Sequence, residues 1–159
     1  MRLSSIAFVA GFASALAACG GAHDHTDGGV ADLSGLVTCE GDPRVDVYTA
    51  NLMKKSASGA YRIVLAKADP GPPAIGVNAW TIRAEDAAGT ATPSAALRVL
   101  PFMPDHGHGT SVKAQISSLP DGAFSVTPLY FFMGGVWRVE FNPAAGDADP
   151  VDFYFCVPG

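Results

Sequence analysis

From Leu36 onward the chain is cut into short apolar runs by clusters of turn-forming residues, and no segment sustains a helical stripe over three turns. That punctuation narrows the fold more than any other feature. Asp69-Pro70-Gly71-Pro72-Pro73, residues 86–89, Pro120-Asp121-Gly122 and Gly134-Gly135 each supply a positive φ or a fixed turn φ. Between them, Trp80-Thr81-Ile82-Arg83-Ala84-Glu85 alternates apolar and polar positions, the period of a half-buried strand. Val112, Ala114 and Ile116 alternate in the same way with Lys113 and Gln115, as do Trp137, Val139 and Phe141 with Arg138 and Glu140. Residues 61–66, 97–102 and 124–132 are more continuously apolar and suit strands covered on both faces. Val151, Phe153 and Phe155 make a last strand, whereas residues 53–56 carry no pattern. Seven or eight short strands in about 120 residues predict an all-β, immunoglobulin-like antiparallel β-sandwich, with Trp80 and Trp137 facing inward.

At 159 residues the chain has room for one domain and for a core of ordinary size. Its 18 glycines and 12 prolines belong to the turns. Ten Lys and Arg against fifteen Asp and Glu leave a formal charge of −5. Nucleic-acid binders usually display a basic patch or stripe, so DNA and RNA are set aside as partners.

Residues 1–18 hold one cation, Arg2, then a charge-free apolar stretch and small residues, the layout of a secretory signal peptide. The stretch is shorter than the roughly 20 residues a spanning helix needs. It ends in Leu16-Ala17-Ala18-Cys19-Gly20, which resembles a bacterial lipobox. The resemblance implies that Cys19 is acylated and that the protein is a lipoprotein, held to a lipid bilayer of the cell envelope by more than one acyl chain. Gly20 stands where inner-membrane retention signals carry Asp, which points to the outer membrane, facing the periplasm, if the cell is Gram-negative. Residues 19–34 then read as a flexible tether of Gly, Ala, Asp and His. His23 and His25 within it make no preorganised site. The single domain follows over residues 35–159.

Setting Cys19 aside leaves Cys39 and Cys156 in an oxidising compartment, and these are expected to pair in a disulfide. A metal site on the two thiols lacks the close C-x-x-C spacing.

Met103-Pro104-Asp105-His106-Gly107-His108-Gly109 gathers a thioether, a carboxylate and two imidazoles, and thirty positions on lies Met133 in Phe131-Phe132-Met133-Gly134-Gly135-Val136-Trp137. With Gly76-Val77-Asn78-Ala79-Trp80 upstream, this ordered set resembles the YtkA-like domain related to FixH proteins, over roughly residues 61–141. The resemblance implies a small extracytoplasmic β-sandwich whose relatives are connected with copper handling or with assembly of copper-containing oxidases, which would make a copper protein or another envelope protein its partner. FixH proper has a transmembrane helix and this chain does not show one, which argues against an oxidase-assembly role.

The residues make their own case for copper. Thioether sulfur suits Cu(I), and neutral imidazole suits copper in either oxidation state. In an extended strand His106 and His108 share a face, and Gly107 between them allows a bend that brings the rings together. Pro104 stiffens the approach, and Met133 has to arrive from a neighbouring strand end. The candidate ligands are therefore Met103, His106, His108 and Met133. A second reading stays open: the methionines fill core gaps and the histidines are solvent-facing turn residues, leaving a non-catalytic interaction or structural module without a metal. Enzyme chemistry is not expected. The sequence has no G-x-S-x-G elbow and no H-E-x-x-H helix, and Asp105 beside His106 is no dyad by itself.

Overall fold

The computed structural model describes residues 39–93, 96–143 and 149–159. The expected signal peptide, Cys19 and the expected tether lie outside the described residues. Among the described residues nine strands form: β1 Leu52–Lys55, β2 Tyr61–Asp69, β3 Gly76–Asp86, β4 Arg98–Met103, β5 His108–Gly109, β6 Gln115–Ser118, β7 Phe124–Phe131, β8 Gly135–Asn142 and β9 Val151–Val157. They make two antiparallel sheets, one ordered β1-β2-β3-β7-β6 and the other β5-β4-β8-β9. Leaving out β1, that order is A-B-E-D against C′-C-F-G, the immunoglobulin-like arrangement. The expected sandwich is thus present, and it includes two short strands, β1 and β5, that the sequence pattern did not mark.

Alternation turns into burial where it was clearest. On β3, Trp80, Ile82 and Ala84 are buried while Thr81, Arg83 and Glu85 are half-covered. On β8, Trp137, Val139 and Phe141 face in, and on β9 Val151, Phe153 and Phe155 do the same. Trp80 sits at the centre of the core, its ring between 5.4 and 6.4 Å from Phe131 of its own sheet and from Phe141, Phe153 and Phe155 of the other. Edge-on contacts of this kind add to the area that such rings bury. Outer faces carry ion pairs, as between the cross-strand neighbours Arg62 and Glu85.

Three expectations need correction. Residues 53–56 are largely the edge strand β1, which alternates half-buried with exposed positions and pairs with β2 alone. The strand expected at residues 112–116 instead begins at Gln115, and the alternation before it belongs to an irregular crossing whose Val112 is exposed. Nor are β4 and β7 covered on both faces: Leu100 is 52% exposed, and β7 alternates.

One lateral edge of the sandwich is closed by the chain that precedes β1. Along the β1 and β9 side runs an irregular strap, residues 39–50, tied by the Cys39–Cys156 disulfide with Cα atoms 5.3 Å apart. Asp46 of the strap donates its N–H to the Tyr154 carbonyl at 2.8 Å, and its carboxylate accepts from the Tyr154 N–H at 2.8 Å and from Lys54. The Tyr48 hydroxyl accepts from the Ala68 N–H beside a bulge in β2, and its ring lies edge-on to Phe155.

Candidate metal centre at one end of the sandwich

The sequence Met103-Pro104-Asp105-His106-Gly107-His108-Gly109 folds as the connection from β4 into β5. The Met103 carbonyl accepts from the N–H groups of both His106 (3.2 Å) and Gly107 (2.9 Å), which closes the turn. Gly107 takes a φ of 69° in the left-handed region, where a side chain is disfavoured. A Cβ on Gly109 would stand 2.6 Å from the Pro101 carbonyl oxygen, so β5 can lie against β4 only with glycine there. Both glycines of the H-G-H-G run are therefore required by the backbone.

His106 and His108 do not share a strand face as expected, since His106 lies in the turn and His108 in β5. The turn converges them instead: their ring centroids are 5.6 Å apart, tilted by 54°, and both residues are exposed. Neither imidazole has a hydrogen-bond partner among the described residues. With metal–nitrogen bonds of about 2 Å, two imidazoles on one ion have centroids about 5 to 6 Å apart, a spacing that this pair has.

The end of β7 meets this loop. Phe132 stacks on His108 at 5.5 Å and 24°, and its other side meets Trp137 edge-on at 5.5 Å. Met133, the next residue, is half-buried against the core, and its carbonyl accepts from the Trp137 indole N–H at 3.0 Å. Met103 pairs with His108 across the β4–β5 ladder, but its side chain is fully buried in the core cluster. The fold thus brings His106, His108 and the Phe132-Met133 strand end to one place, and sets the Met103 thioether among core side chains.

Asp105 is engaged elsewhere. Arg44 of the strap grips both its oxygens at 2.7 Å while also holding Asp42. The Arg44 guanidinium keeps both carboxyls below the ordinary range, Asp42 at about 2. Among the described residues no group of three or more His, Cys, Asp or Glu is placed to hold an ion. What the site offers is a pair of imidazoles with thioethers near in sequence, a donor set that suits copper better than a hard cation.

Two residues were missed in the sequence. Phe132 stood within a quoted motif, where only its place before Met133 could have marked it, and Arg44 gave no signal because its partner is 61 positions away.

Much of the ordered pattern is structural. Asn78 is fully buried, accepts from the Ala74 N–H, and donates to the carbonyls of Ala74 and Gly76, fixing the entry into β3. Trp80 and Trp137 are the largest buried rings, and a Cβ on Gly134 would strike Gly159 at 2.6 Å.

Fold and site together define a small immunoglobulin-like β-sandwich that presents an exposed histidine pair at one end. The chain belongs to the YtkA-like family, whose profile matches residues 55–142. That span runs from the end of β1 to the end of β8, leaving the strap, β9 and both bridged cysteines outside it. No curated protein and no solved structure matches the chain.

Proposed function

We propose that this YtkA-like protein is a non-catalytic copper-binding module of the bacterial cell envelope, anchored through acylated Cys19 and exchanging copper with another envelope protein. The observation that carries the reading is the 5.6 Å spacing of two exposed imidazoles at the rim of the sandwich. His106 and His108 supply the nitrogen ligands and Met133 the thioether, while the Met103 thioether, expected as a second sulfur, is packed among core side chains. Bound copper would there be a carried ion, held by soft and borderline donors. The anchor places the module at the outer membrane, facing the periplasm, in a Gram-negative cell. The acidic chain binds no nucleic acid.

The test is competition with a chromophoric Cu(I) chelator under reducing conditions. His106→Ala with His108→Ala should remove most of the copper affinity, and Met133→Leu, nearly conserving volume, should weaken it without unfolding the domain. Deleting residues 20–34 controls for His23 and His25. Copper retention that survives the double change and disappears with the tail deletion would eliminate the site. The anchor is tested separately: labelled fatty acid should appear on the wild-type chain and be lost, with release from the membrane fraction, in Cys19→Ser.

The complete burial of Met103 favours a second reading, in which the methionine is core packing and the module docks a partner without metal. Absence of copper retention in every variant would establish that reading over the first.

A further inference from the structure

The strap closes one lateral edge of the sandwich, and the opposite edge stays open. β5 pairs only with Phe102 and Met103, so residues 98–101 of β4 have no strand on their outer side among the described residues. The facing edge of the other sheet is β6. Between the two edges lies a groove of about 630 Å³, within the range of sites for small organic ligands. Leu97, Val99, Pro101, Val112, Ala114 and Ile116 give it apolar walls, and Val99, Ala114 and Ile116 rest directly on the core. The unpaired stretch of β4 is about 13 Å long at the rise of a strand, enough for a medium alkyl chain.

Its polar lining is of one sign. Lys113 and Arg98 line the groove, together with the hydroxyls of Thr110 and Ser111, and no Asp or Glu does. In a chain of net charge −5 this is a local reversal. Lys113 is exposed and has no ion pair among the described residues. An apolar trough with an ammonium and hydroxyl-bearing residues in its wall matches an amphiphile with a single carboxylate head.

The other occupant such an edge invites is an extended peptide added as a strand. The backbone here is poorly suited to it. The Pro101 carbonyl points toward β5, on the open side, and by the two-residue period Val99 points the same way. Pro101 has no N–H, so Val99 alone offers a full donor and acceptor pair, and a proline on an edge strand is one way in which sheets resist strand addition. We propose that the groove between β4 and the residue 110–116 crossing binds a single-chain aliphatic carboxylate, its alkyl chain on Val99, Ala114 and Ile116 and its head group at Lys113. This site is independent of the histidine pair.

Calorimetric titration of the full chain carrying Cys19→Ser, which keeps attached acyl groups away, tests it with dodecanoate below its micellar concentration. One dodecanoate should bind per chain. Dodecanol, of equal chain length and no charge, should bind about tenfold more weakly, and Lys113→Glu should weaken dodecanoate by about tenfold, the loss of one charge-assisted contact. Val112→Trp, at an exposed wall position, should obstruct the groove and abolish binding while the melting temperature stays near that of the parent. Equal affinity for dodecanol, indifference to Lys113→Glu, binding that survives Val112→Trp, or no binding by the parent would each overturn the proposal. So would displacement of dodecanoate by a short peptide of alternating apolar residues, because the groove would then serve strand addition.

Discussion

Arg44 holds Asp105 in a two-pronged grip, Nη1 on Oδ1 and Nη2 on Oδ2 at 2.7 Å each, and so fastens the N-terminal strap to the loop that carries His106 and His108. The planar guanidinium matches a carboxylate in this way, and lysine would not. Because both side chains are well exposed, the pair contributes little to global stability. Its effect is local, on the residue next to His106.

Replacing Asp105 by Ala should therefore leave the melting temperature nearly unchanged while broadening the imidazole NMR signals of His106 and His108. Copper retention should weaken in the same variant. Sharp, unshifted imidazole signals in Asp105→Ala would mean that the turn holds itself, through the Met103 carbonyl alone.

The two core tryptophans should respond differently to loss of their indole nitrogen. Truncating either to Ala should cost about 3 to 5 kcal/mol, as large-to-small core changes do. Trp80 Nε1 has no hydrogen-bond partner among the described residues, whereas Trp137 Nε1 donates to the Met133 carbonyl. Trp137→Phe leaves that carbonyl unpaired, a loss of about 1 to 3 kcal/mol, and should lower the urea midpoint more than Trp80→Phe. The reverse order would show that ring volume at the centre of the core outweighs the hydrogen bond.

The Cys39–Cys156 bridge encloses a loop of 117 positions. Converting both cysteines to Ser should lower stability by at most about 4 to 5 kcal/mol, the chain-entropy figure for so long a loop. Thiol counting on denatured, unreduced protein should find neither sulfur free; two titratable thiols would refute the bridge.

Acid should act on stability in two opposite senses. Burial raises the Asp152 carboxyl, with Arg138 and Lys54 opposing the rise and Glu140 adding to it, and one of its oxygens is buried without a hydrogen-bond partner among the described residues. A carboxyl raised in the folded state takes up its proton there first, so stability grows as pH falls through the folded value toward the ordinary 3.8. Asp42 and Asp105 are lowered by Arg44, so the unfolded chain protonates first and stability is lost as pH falls from 3.8 toward about 2. The melting temperature should accordingly pass through a maximum in the acid range, where the gain at Asp152 gives way to the losses at Asp42 and Asp105. Asp152→Asn should raise it at neutral pH and flatten the rise on the alkaline side of that maximum. An unchanged profile in Asp152→Asn would show that the carboxyl is solvated.

Residue type and spacing alone determined the class of fold, the inward faces of β3, β8 and β9, the burial of Trp80 and Trp137, and the pairing of Cys39 with Cys156. The reason is that a strand covered on one side must alternate, and the turns that separate such strands need a few special residues. Edges escaped this logic. β1 and the start of β6 pair on one side only, so solvent tolerates either polarity there, and the alternation of Val112 and Ala114 came from an irregular crossing. At the site, composition marked the histidines, but only the tertiary structure decided that a turn held by the Met103 carbonyl brings their rings to 5.6 Å. The same holds for Phe132 against His108, Arg44 on Asp105 and the complete burial of Met103. Each of these contacts joins residues whose separation along the chain carries no period, and only the closing of two sheets on one another places them together.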